Sequence, residues 1–195
     1  MNGPIRFAAL AGLLVLLAAC SQKDPAAEAI AAAEDALNAV YEDAERYVPQ
    51  RYEEVKAELV AARTAFSGER YADAIAAVRD VPAHAEALNK EAAAAKQKHI
   101  SEMNADWARL SDSLPRLLAG IGGRLEELGN MRRLPQGMDK QLLDETRAAF
   151  ASAQSAWEEA GAEFTSGDLE SAVGKALAVE GMAQDLVARL GMQTG

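Results

Sequence analysis

One cysteine, two histidines and six prolines occur in the whole chain, and only 5% of its side chains are aromatic. Each scarcity removes a class of function. A lone thiol, Cys20, cannot close an internal disulfide or supply a multi-cysteine metal site. His84 and His99 fall on one expected helix, fifteen residues and so about 22 Å apart. They cannot share a metal, and neither stands in an HExxH frame. Serines occur without any nucleophile-elbow context, which argues against Ser-His chemistry. Basic residues number 20 against 30 acidic ones, a net charge of −10. Such a surface argues against nucleic acid and against electrostatic adhesion to anionic lipid.

Other familiar sites are missing for reasons of spacing. "AGIGG" at 119–123 is glycine-rich, yet it lacks the Gly-Lys-Ser/Thr ending and the preceding strand of a phosphate loop. It reads as a weak or closely packed spot in a helix, or as a hinge. Glu53-Glu54, Glu126-Glu127 and Glu158-Glu159 are sequence neighbours, which point about 100° apart on a helix. They do not converge as paired carboxylates must for acid–base work, and read as solvated faces. Arg132 and Arg133 follow a helix end, where cations complement the negative pole. Trp107 and Trp157 lie on apolar faces and read as core. No enzyme, cofactor site or metal site is visible.

What the chain does have begins with an apolar run from Phe7 to Ala19, preceded by Arg6 and free of acids until Asp24. At roughly 13 residues it falls short of the ~20 needed to cross a bilayer, and it fits the core of a secretory signal peptide. It ends in Leu17-Ala18-Ala19-Cys20, which resembles the lipobox of bacterial lipoproteins. The resemblance implies alkylation of the Cys20 sulfur by a diacylglycerol and cleavage between Ala19 and Cys20. Two or three acyl chains then anchor the chain, each buried CH₂ adding ~0.8 kcal/mol. In enterobacterial lipoproteins an aspartate after the cysteine marks retention in the inner membrane. Ser21 at that place implies the outer membrane, facing the periplasm. Loss of residues 1–19, with Arg6 their only charge, leaves 19 bases against 30 acids.

Abundant alanine and the absence of alternating β-branched runs predict an all-α fold. Asp24 can cap a first helix with Pro25 in its first turn, carrying Ile30, Leu37, Val40, Tyr41, Ala44 and Val48. Tyr52, Val55, Leu59, Ala62 and Phe66 make a 3–4 seam in a second helix. After "SGER" a third helix, bent at Pro82, carries Tyr71, Ala74, Val78, Val81, Ala85, Leu88 and Ala92 toward Leu110. A fourth starts near Ser113 with Pro115 in its first turn and carries Leu114, Leu117, Ile121, Leu125 and Leu128. Two more follow: Leu142 to Phe164, then, beyond "TSGD", Leu169 to Leu190.

A shift of 98 residues lays one half on the other, with Tyr52 on Phe150, Leu59 on Trp157, Phe66 on Phe164, Ala74 on Ala172 and Leu88 on Leu186. The expected organisation is a signal peptide at 1–19, a lipidated tether at 20–24 and two helical units at 25–110 and 111–192. Together these form an antiparallel bundle of about six helices in two similar three-helix units. The stretch "LVAARTAFSGERYADAIAAV" resembles a tetratricopeptide helix junction, with Gly68, Tyr71, Ala74 and Ile75 in the Gly-x-x-Tyr-x-x-Ala-Ile order. Its ~98-residue period departs from the 34-residue unit of that family. It more closely resembles an uncharacterised family of alanine-rich envelope lipoproteins with helical hairpins, over about 48–92 and 138–190. That family implies no reaction.

Together these features predict a membrane-anchored, non-enzymatic adaptor or scaffold that binds an envelope protein. The alternatives are a carrier or chaperone for a lipid or other apolar ligand, and a structural spacer. The 3–4 seams can pack within the chain or pair between copies as a homo-oligomer.

Overall fold

The computed structural model of the protein describes residues 22–192. Among these residues there is helix and connecting turn but no strand: α1 (Lys23–Asn38), α2 (Tyr41–Tyr47), α3 (Pro49–Ser67), α4 (Tyr71–Val78), α5 (Val81–Asn130), α6 (Lys140–Ser166) and α7 (Leu169–Arg189). The fold is all-α. The described residues fall into two compact units, divided between Lys98 and His99. The division falls inside α5 rather than at the 110/111 boundary expected from the sequence.

The apolar seams account for the two cores. In the first unit, Ala26, Ile30, Ala33 and Leu37 of α1 meet Tyr52, Val55, Leu59 and Ala62 of α3, with Ala74, Val78, Val81, Leu88 and Ala92 beyond them. In the second, Leu110, Leu114, Leu118, Ile121, Leu125 and Leu128 of α5 meet Ala153 and Ala160 of α6 and Ala176, Val179, Ala183 and Leu186 of α7. Steps of three and four place each set on one face of its helix. One buried polar side chain interrupts them, Thr146, whose hydroxyl donates to the Leu142 carbonyl at 2.6 Å.

Prolines set several element ends, though not always as the sequence suggested. Asp24 does not cap the first helix. Gln22 precedes α1 without a side-chain bond, and Asp24 stands inside the first turn, where its charge suits the positive pole. The single first helix expected to Val48 is two, broken at Ala39–Val40, where Val40 takes φ −112°, ψ 0°. Val48, which precedes Pro49, is held out of helical geometry at φ −141°, ψ 50°. Pro49 then opens α3, where its missing N–H costs nothing.

Pro82 and Pro115 exchange their expected roles. Pro82 does not bend a helix; it is the second residue of α5, and the break lies before it at Arg79–Asp80. Pro115 does not start a helix. It lies inside α5, which runs unbroken through the Ser113 position. Leu110, Leu114, Leu118 and Ile121 flank it, all within 5% of full burial. Continuing the helix keeps these four side chains on one face. Burying each is worth about 1.5–3 kcal/mol, which outweighs the ~3 kcal/mol cost of an interior proline.

The two small-residue turns share one geometry 98 residues apart. In the first, the Glu69 N–H donates to Phe66 O at 3.0 Å and the Arg70 N–H to Ala65 O at 2.9 Å. In the second, the Gly167 N–H donates to Phe164 O at 3.1 Å and the Asp168 N–H to Glu163 O at 3.0 Å. Both are Schellman ends, which need a left-handed residue. Gly167 supplies it at φ 93°, whereas in the first turn it is Glu69, at φ 57°, and not the adjacent Gly68. A Cβ on Gly167 would meet nothing within 4 Å, so substitution there tests backbone strain alone. Gly167→Ala is expected to cost about 1 kcal/mol and Glu69→Gly to gain a smaller amount, since an L-residue pays ~1–2 kcal/mol in the left-handed region and glycine loses more chain entropy. Chemical unfolding of both variants measures this, and equal effects of one sign would contradict it.

Beyond the second turn, the Ser171 backbone N–H and hydroxyl both donate to the Asp168 carboxylate, at 2.9 and 2.8 Å. These bonds hold Asp168 below the ordinary carboxylate value. Across the same hairpin, the Lys175 Nζ donates to Glu163 at 3.0 Å and Glu159 at 3.1 Å. Those two partners raise its pKa.

Candidate functional site

The second unit carries an aromatic stripe that packs along the edge of its core without being fully buried. Phe150, Trp157 and Phe164 stand seven residues apart on α6, nearly two turns each, and so share one line. Between them Ala153 and Ala160 point inward and are wholly buried. The aromatic residues are not. Phe150 and Trp157 are half-buried and Phe164 is 44% exposed. The Trp107 ring of α5 stacks on Phe164 at 4.4 Å and 10° and on Trp157 at 5.7 Å and 20°. Such stacks add about 0.5–1.5 kcal/mol beyond area burial. The tryptophans pack against the core, as expected of them, but as a ladder at its edge that is only partly buried.

Trp107 meets Trp157 and Phe164, while Gly122 lies against Phe150, so α5 and α6 run antiparallel here. Between them lies an open groove of about 590 Å³. Pro115, Ala119, Gly122 and Gly123 form its α5 wall, and Phe150, Gln154 and Trp157 its α6 wall. The wall on α5 is low because its residues are small. A methyl group at Gly122 would come within 3.3 Å of Phe150 Cζ, so glycine lets the ring lie close. Gly123 faces open space, with nothing within 4 Å of where its Cβ would stand. The glycine run is thus neither a helix end nor a phosphate cradle: the helix passes through it, and it shapes one wall of the groove.

The charges at the groove are of one sign. Glu126 and Glu158 line it, and no cation does. The neighbour of each is engaged elsewhere. Arg124 Nη1 reaches Glu127 at 3.0 Å, and Lys175 Nζ reaches Glu159 at 3.1 Å. Glu126 and Glu158 make no hydrogen bond or ion pair among the described residues. The divergence of adjacent glutamates expected from helix geometry is therefore present, but at Glu126-Glu127 and Glu158-Glu159 it sends the first of the pair into the groove. The sequence signal for this wall is a second stripe, 115-119-122-126, offset from the core stripe 114-118-121-125 by one position.

The remaining polar contacts are structural. Arg109 grips Glu180 of α7 through two nitrogens at 2.6 and 3.3 Å, which raises its pKa. His84 Nδ1 lies 3.0 Å from a Glu58 oxygen, and His99 stands far along the same helix. Glu53 pairs with Lys56, and Glu54 with Arg51. Arg132 and Arg133 are exposed in the segment joining α5 to α6. Among the described residues no three His, Cys, Asp or Glu side chains are placed to hold a metal ion, and no helix is long and apolar enough to cross a membrane. The expected cleavage and lipidation residues, Ala19 and Cys20, lie outside the described residues. Comparison with family models, with curated proteins and with solved structures finds no match to this chain.

Proposed function

We propose that the protein is a lipoprotein of the outer membrane that faces the periplasm and acts as a non-enzymatic adaptor. Cleavage after Ala19 and acylation of Cys20 would tether it, and the helical domain would bind another envelope protein. The observation that supports this reading is the groove of the second unit, where two aromatic side chains, Phe150 and Trp157, stay partly exposed beside a wall of small residues. Large aromatic surfaces left in a concave site favour a protein partner, because they supply anchoring area at low entropic cost. Tethering raises the local concentration of the two proteins, so that a modest groove affinity suffices. The matching Schellman turns and the matching buried positions, such as Ala74 with Ala172 and Leu88 with Leu186, support an origin of the two units by duplication.

The test combines palmitate labelling with in-cell crosslinking and mass spectrometry, using Cys20→Ala as the control. The expected result is label on the parent protein, none on Cys20→Ala, and one protein crosslinked only to the anchored form. Equal labelling of the two, or no enriched protein with the chain firmly in the membrane, would overturn the reading. Retention of a lipid other than the anchor in native mass spectrometry would replace it with a carrier.

A further inference from the structure

The groove has a direction and a charge pattern that narrow what can fill it. Because Gly122 lies opposite Phe150 and the helices are antiparallel, Glu158 falls near the Pro115 end. Glu126, one turn past Gly122, falls at the other end. The helical rise places the two carboxylates roughly 18 Å apart along the groove. The middle is apolar and aromatic, and among the described residues no cation pairs with either carboxylate.

We propose that this groove binds an amphipathic helix of a partner protein that carries Lys or Arg at two points about three turns apart, with apolar side chains between them. The inference rests on the adaptor reading and names the chemistry of the partner. A helix laid in a groove anchors through residues at i, i+3 or i+4, and i+7, which span about 10 Å and fit between the two acids. The apolar anchors meet Phe150 and Trp157 and slide over Gly122 and Gly123. The cations meet Glu126 and Glu158, which are free to accept them. A second copy of this chain is a poor occupant, since each carries a net charge of −10. Fatty acids and anionic headgroups meet the same repulsion at both ends.

The test uses the full chain and two synthetic peptides of about fourteen residues, enough for three to four turns. One carries leucines at i, i+3 and i+7 between terminal lysines. Its twin carries glutamates in place of the lysines. Tryptophan emission reports binding, because Trp157 lines the groove. The lysine peptide should bind at least about tenfold more tightly at low salt, with this preference screened at high salt. The double variant Glu126→Gln/Glu158→Gln should reduce the preference to about twofold. Glu28→Gln/Asp185→Asn, which removes the same charge at exposed positions outside the groove, should preserve it. Gly123→Leu, which fills open space without striking the chain, should abolish binding of the peptide.

Equal loss in the two double variants would reduce the effect to general acidity and overturn the proposal. So would failure of both peptides to bind, or preference for the acidic twin or for a fatty acid. The two readings fail separately. A cellular partner whose crosslinks map away from residues 115–158 removes this site but leaves the adaptor standing. Peptide binding without any cellular partner does the reverse.

Discussion

Leu114→Ala is expected to destabilise the second unit by about 4 kcal/mol, toward the upper end of the 2–5 kcal/mol range for such truncations. Leu114 is wholly buried in a core that also holds Leu110, Leu118 and Ile121. The facing helices contribute largely alanine and valine: Ala153, Ala160, Ala176, Val179 and Ala183. Alanine has no rotamer with which to fill a gap, so the cavity left by the lost leucine stays open. Leu117, half-buried and three residues along, should lose less than half as much on the same change. Both tryptophans lie in the second unit and all four tyrosines in the first. Tryptophan fluorescence during chemical denaturation therefore follows the second unit by itself. A loss at Leu114 no greater than at Leu117 would mean that this helix presents a different face.

Pro115→Ala, at the very next residue, should do the opposite and stabilise the second unit by about 2 kcal/mol. An interior proline costs a helix ~3 kcal/mol relative to alanine, because it has no N–H to donate to the carbonyl four residues back and its ring crowds that turn. Against this, alanine frees the unfolded chain and returns about 0.4–1 kcal/mol. Little packing is lost, since Pro115 is exposed at the rim of the groove. If Pro115 stood in the first turn of a helix, where proline is well tolerated, the change would be near neutral. The same tryptophan-monitored unfolding decides between the two.

These two neighbours show where local reading stops. Pro82 and Pro115 each follow a short polar stretch, Arg79-Asp80 and Ser111-Asp112-Ser113, and look alike to any rule that sees a few residues. One opens a helix and the other is overrun by one. Similarly, the left-handed residue of the first turn is Glu69 and not its glycine neighbour Gly68, as the hydrogen bonds to Ala65 and Phe66 require.

By itself the sequence determined the helical class, most of the buried faces though not Tyr41 or Phe164, which stay exposed, and the acidic balance, and it carries the expectation of an anchor at Cys20. All of these rest on periodicity, composition or short motifs, which are written within one or two turns. The seams at Tyr52-Val55-Leu59-Ala62 and Ala172-Ala176-Val179-Ala183 are buried as their spacing predicts. Only the tertiary structure decided whether α5 would run through Pro115, and that Glu126 and Glu158, rather than Glu127 and Glu159, would face the groove. Only it decided that Trp107 and Trp157 would stack at the edge of the core, partly buried, rather than inside it. Each of those outcomes depends on what lies opposite: Phe150 against Gly122, Trp107 against Phe164, and the α6 and α7 residues that share one core with Leu114. A buried leucine is worth enough to override a local break signal, but only where residues from a distant helix are present to cover it.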